Sequence, residues 1–193
     1  MGRYSDYFQE IWKLQANRKV IGLALFNVLV DNTKTFTPGD QVKPLEGIDK
    51  AIQLLSSKGY DFVIITGQPV NRSKLLDIND FENIIGGARE FITQLGGRVR
   101  NVYFAPSIDK NDPYVKPNPG MFEKAQSENN FKWADTIFVG SEPNDVKAVT
   151  KVKGIPVLIK SSNTESKMKS FELSNNIKIQ EYSSLLEFAT SLD

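Results

Sequence analysis

A chain of 193 residues is long enough to bury one real core, and no Ser/Gly/Pro-rich linker, charge block or internal repeat divides it in two. Its 24 Lys and Arg against 23 Asp and Glu leave a net charge of +1, which gives no general field for holding nucleic acid or an anionic membrane. The lack of both Cys and His excludes disulfides, thiolate or imidazole nucleophiles, Ser-His-Asp triads and ordinary zinc sites; any catalysis must use carboxylates, Lys, Ser/Thr or a hard metal held by oxygen.

In chain order, Tyr4, Tyr7, Phe8, Ile11 and Trp12 recur at helical spacing and predict an amphipathic N-terminal helix over residues 1–18, packed on the domain that follows. The same aromatic face could instead be offered to a partner or a dimer mate. Few basic residues on the polar face argue against membrane attachment. From Val20 onward short β-branched runs alternate with longer helical stretches, the signature of βαβ units around a parallel sheet of five or six strands.

The first strand is expected over Val20 to Phe26, a helix over Leu45 to Lys58, and a second strand over Phe62 to Thr66. A helical stretch from Lys74 to Leu95 is expected to be weakened or broken at Gly86 and Gly87. Strands follow at Val99 to Pro106, Thr136 to Gly140 and Pro156 to Lys160, with helices from about Pro119 and over Asn144 to Val152. The polar stretch Ser161 to Ser174 reads as surface loop or short helix. NIKIQEY reads as a short edge strand, and Ser183 caps a last helix whose Leu185, Leu186 and Phe188 face inward. The apolar runs end within about ten residues, short of the ~20 that span a bilayer. With no signal-peptide pattern at the start, the expectation is a cytoplasmic protein.

Ligands bind at the carboxyl ends of strands in open parallel sheets, so the segments after each strand carry the functional signal. These are ALFNVLVDN at 24–32, IITGQ at 64–68, VKPNPGM at 115–121 and FVGSEPNDVKAV at 138–149. Their order and spacing resemble the haloacid dehalogenase superfamily, most closely its branch of heptose bisphosphate and histidinol-phosphate phosphatases. The pairing of KPNPGM with VGSEPNDVKAV is the most specific part of the resemblance. It implies a Rossmannoid three-layer α/β/α domain over residues 19–193, without a large cap domain and without the zinc loop that the relatives build from cysteines.

In that branch the first motif reads DxDGT, and the resemblance implies an Asp nucleophile at the tip of strand one and an acid two residues later. Magnesium would bridge the nucleophile, the phosphate and an acidic pair after a later strand. Placed on this chain, the nucleophile position falls on Asn27, the acid on Leu29, and the acidic pair on Ser141 and Asp145. An amide is a poor nucleophile and Leu carries no proton to give. Thr66, Gln68 and Lys116 match the residues that hold phosphoryl oxygens.

The reading is a degenerate phosphatase-like protein acting as a binding or regulatory module, with a vestigial phosphate pocket. No cofactor is expected, and Mg2+ only where residual activity survives, held by Asp145 with Asp31 as a further candidate. The alternatives are a weak or altered magnesium-dependent phosphatase of a small phosphorylated metabolite, and an interaction module built on the N-terminal helix. The partner is accordingly a protein or a small phosphorylated ligand. Asp109 and Asp112 in SIDKNDPY lack the Gly and terminal Glu of a calcium loop and read as solvated loop residues.

Overall fold

The computed structural model describes residues 18–31, 43–67, 70–71, 74–75, 78–105, 107–160 and 179–192. The expected N-terminal helix, apart from Arg18, lies outside them, as do Gln68 and the polar stretch 161–174.

Six strands form one sheet in which every neighbouring pair is parallel. They are β1 (Lys19–Leu23), β2 (Tyr60–Thr66), β5 (Val99–Phe104), β6 (Ile137–Gly140), β7 (Ile155–Ile159) and β8 (Gln180–Tyr182), in the spatial order β5-β2-β1-β6-β7-β8. A two-residue hairpin, β3 (Val70–Asn71) and β4 (Lys74–Leu75), stands outside it. The helices are α1 (Ile48–Ser57), α2 (Ile78–Gln94), α3 (Gly120–Asn129), α4 (Pro143–Lys151) and α5 (Leu185–Ser191). The right-handed crossover rule places α1 and α2 on one face and α3 and α4 on the other. Helix α5 returns to pack beside α1. No helix among the described residues is long and apolar enough to cross a membrane.

The core follows from the sequence periodicities. Helix α1 buries Ile48, Ala51, Ile52 and Leu55, one stripe at helical spacing. The interior strand β2 is covered on both faces and buries every residue from Asp61 to Thr66. On the α3 side, Phe122, Trp133 and Phe138 stack edge to face, with the Phe122 and Phe138 ring centroids 4.8 Å apart. The buried indole is satisfied by donating to the Phe122 carbonyl at 2.7 Å. Gly22 makes room for this cluster, since a Cβ there would fall 2.6 Å from the Phe138 ring and 2.7 Å from that of Trp133.

Three expectations are corrected. Gly86 and Gly87 do not break α2, which runs unbroken from Ile78 to Gln94. Phe81, Ile84, Ala88 and Ile92 bury one face of that helix, and packing of this stripe outweighs the roughly 1 kcal/mol each glycine costs. The cap of α5 is Ser184, whose hydroxyl accepts from the Glu187 amide at 3.1 Å; Ser183 instead gives its own amide and hydroxyl to the Glu187 carboxylate. Strand β1 ends at Leu23, short of the expected Phe26.

Candidate functional site

The chain steps from β1 outward through β2 to β5, then returns to place β6, β7 and β8 on the other side of β1. The strand order therefore reverses between β1 and β6, and the crevice at their carboxyl ends is where such sheets hold ligands. The ends of β2, β1 and β6 lie side by side along that edge and carry Thr66, Ala24 and Ser141 respectively.

Ala24 follows directly on β1 and is tied to β6 by donating its amide to the Val139 carbonyl at 2.9 Å. A tight turn comes next. Leu29 and Val30 both donate to the Leu25 carbonyl, and Asn27 donates to that of Val30 at 2.7 Å. Asn27 carries φ of 59°, a left-handed conformation that Gly adopts freely and Asn tolerates best among side-chain-bearing residues. Asn27 is thus a turn residue three positions beyond the strand tip. Its neighbours Val28, Leu29 and Val30 are core residues, each at most 3 % exposed.

Asn27 lines a cleft of about 770 Å³ with Glu46, Asp49, Lys50, Lys160 and Ser184, at the start of α1 and of α5. Thr66, Lys116 and Asp145 do not line that cleft. Asn27 therefore opens on this cleft, and Leu29 is buried in the core. The residues at the tip of β1 and two positions on are Ala24 and Phe26, which the sequence reading passed over. One signal could have found them: the Gly of a DxDGT motif needs the freedom that Asn27 supplies here, which sets the motif three residues earlier.

After β6 the chain enters α4 through Ser141 and Glu142, with Pro143 at the first helical position. Asp145, in the first turn, folds back on this entry and accepts from the Ser141 amide at 2.9 Å and the Glu142 amide at 3.1 Å. Its other oxygen accepts from the Lys116 ammonium. Gly140 permits the approach, because a Cβ there would lie 2.5 Å from the Asp145 Cβ. The Ser141 hydroxyl donates to the Phe26 carbonyl at 3.1 Å and so ties the β6 end to the turn after β1.

Lys116 sits in a turn-rich segment between β5 and α3. In it Asp109 accepts from the Asn111 amide and Asp112 from the Tyr114 amide, local turn bonds that give both aspartates a structural role. Thr66, 2 % exposed, turns its hydroxyl to the Gly67 carbonyl at 3.0 Å. Asp31 follows Val30, which is bridged to Pro44. No three acidic residues are grouped to hold a metal among the described residues.

Comparison with known proteins agrees with this fold. A family model described as haloacid dehalogenase-like hydrolase matches residues 4–152. The chain is 26% identical over 123 residues to D-glycero-beta-D-manno-heptose-1,7-bisphosphate 7-phosphatase of Pseudomonas putida, covering 63% of this chain and 70% of that protein. The Pseudomonas aeruginosa protein of the same name is 27% identical over 123 residues, covering 63% and 69%. Among solved structures, the D,D-heptose 1,7-bisphosphate phosphatase from B. bronchiseptica, complexed with magnesium and phosphate, superposes with a TM-score of 0.75 at 22% identity, covering 89% of this chain and 96% of that one. The corresponding enzyme from Burkholderia thailandensis gives a TM-score of 0.64 at 20% identity, over 90% and 97%.

Proposed function

The chain belongs to the haloacid dehalogenase-like hydrolase family, and from that premise we propose that it is a catalytically degenerate member, a phosphatase-like domain that binds or regulates without cleaving a phosphate ester. The observation that carries this reading is Ala24 at the tip of β1 with Phe26 two residues on. The chemistry implied for those positions needs two carboxylates, one to attack phosphorus and one to protonate the leaving group. A methyl group and a phenyl ring do neither. Assigning the roles to Asn27 and Leu29 leads to the same result.

Among the described residues, those around Asp145 do not fit magnesium. Asp145 already accepts from three donors, and a carboxylate offers about four acceptor sites. Hard dications favour several oxygen ligands with anionic charge among them. Ser141 supplies no charge, and its hydroxyl is turned to the Phe26 carbonyl.

The retained Thr66 and Lys116, with Gln68, favour a vestigial pocket for the phosphate of a small ligand. The competing reading, a weak magnesium-dependent phosphatase using Asp31 and Asp145, draws on the likeness to the heptose bisphosphate phosphatases. Thermal unfolding in a titration with magnesium chloride separates the two. A binding-only domain without a metal site keeps its melting temperature, whereas a saturable rise would contradict this proposal.

A further inference from the structure

The opposite edge of the sheet, where the strands begin, carries a concentration of positive charge that the phosphatase resemblance does not use. We propose that this edge is a second, independent anion site that takes the phosphate or pyrophosphate group of a small molecule.

Its floor is Asp61, fully buried near the start of β2. Three guanidinium groups from the two strands that flank β2 converge on it. Arg18, just before β1, donates to one carboxylate oxygen at 2.6 Å; Arg98, just before β5, and Arg100, within it, donate to the other at 2.9 Å. One carboxylate thus faces three cations.

Part of this arrangement is structural. Arg18 also donates to the Ser56 and Tyr60 carbonyls and so closes the end of α1. Arg100 spends its two terminal nitrogens on the Asn129 carbonyl at the end of α3 and on the Arg18 carbonyl. Arg98 has no such second task. Its Nε and one Nη both donate to Asp61, and its side chain is 46% exposed.

Above this knot opens a cleft of about 870 Å³, a volume suited to a metabolite of nucleotide size. Arg18, Lys19, Arg98, Arg100 and Lys132 line it, and Asp135 is the one carboxylate among the lining residues. Even after Asp61 is counted, positive charge is in excess. Such an excess around a concave surface attracts anions, and guanidinium groups held in a fixed orientation match phosphate oxygens better than mobile ammonium groups do. Asp61 acts as the orienting group: it holds the Arg98 fork through Nε and Nη2, the side away from Nη1.

The test uses the full chain and inorganic pyrophosphate as probe, followed by isothermal titration calorimetry at low salt. Saturable binding is expected, weakened at least tenfold in Arg98→Ala and in the surface variant Lys132→Glu. Lys132 is exposed, so that variant keeps the test decisive if Arg98→Ala unfolds. Arg89→Ala, an exposed arginine on α2 away from the cleft, should bind as the parent does. Absence of saturable binding by the parent, or binding equally strong in Lys132→Glu, would overturn the proposal.

Discussion

Lys116 and Asp145 stand 29 residues apart in sequence and meet as an ion pair, the carboxylate side chain 2% exposed and the ammonium side chain 13%. Breaking a buried pair from one side leaves a charge without a partner, and this costs more than the pair contributes. Lys116→Met should therefore lower unfolding free energy by about 3 kcal/mol. The double variant with Asp145→Asn should lose less than the two single variants together. Urea denaturation of the four proteins measures the coupling. Strict additivity would show that the contact carries no energy.

Gly140 is predicted to be intolerant of any side chain. A Cβ at that position would overlap Asp145, so Gly140→Ala must push α4 away or break the amide bonds that Asp145 accepts. A loss of about 2 kcal/mol is expected. A Gly140→Ala protein as stable as the parent would mean that the entry to α4 is looser than described.

Asn27 should behave as a turn residue. Asn27→Gly is expected to keep stability within about 0.5 kcal/mol, while Asn27→Val should cost about 2 kcal/mol because a β-branched residue resists φ of 59°. Asn27→Asp should gain no phosphatase activity, since the position is not the strand tip. A gain of magnesium-dependent turnover in Asn27→Asp would restore the alignment in which that residue is the nucleophile.

Burial by itself would raise the Asp61 pKa, but hydrogen bonds from Arg98, Arg100 and Arg18 outweigh it and hold the carboxyl below its ordinary 3.8. With the folded value depressed, the stability from ionised Asp61 is complete above the unfolded value and is lost as pH falls through the folded one. Asp61→Asn is expected to cost about 3 kcal/mol at neutral pH. The gap between parent and variant should shrink once pH falls below about 4. A gap that stays constant from neutral to acid pH would contradict this role.

The sheet was legible because its strands are β-branched runs bounded by polar turns, and the helices because α1 and α4 keep an apolar stripe. The end of β1 was not. Leu25 and Phe26 continue the apolar run of VIGLALF, so nothing in hydrophobicity marks the point where hydrogen bonding passes from the sheet to the Leu25 carbonyl. The cue was conformational, carried by Asn27, and missing it displaced the expected nucleophile position by three residues. Lys116 and Asp145 both stood out in the sequence motifs, but their pairing with each other was not foreseen. The Asp61 knot was invisible for a different reason: Arg18 comes from the approach to β1, Asp61 from β2 and Arg98 and Arg100 from the start of β5, strands distant in sequence that only the spatial order β5-β2-β1 brings together.

The central claim is that the fold has kept its phosphate-holding residues and lost its bond-breaking ones. Its most direct test is steady-state phosphate release by the purified chain with magnesium, using D-glycero-D-manno-heptose 1,7-bisphosphate and a generic aryl phosphate, beside Lys116→Ala prepared in the same way. The expected result is that parent and variant release phosphate at the same rate as buffer. Saturable, magnesium-dependent release by the parent that disappears in Lys116→Ala would contradict it.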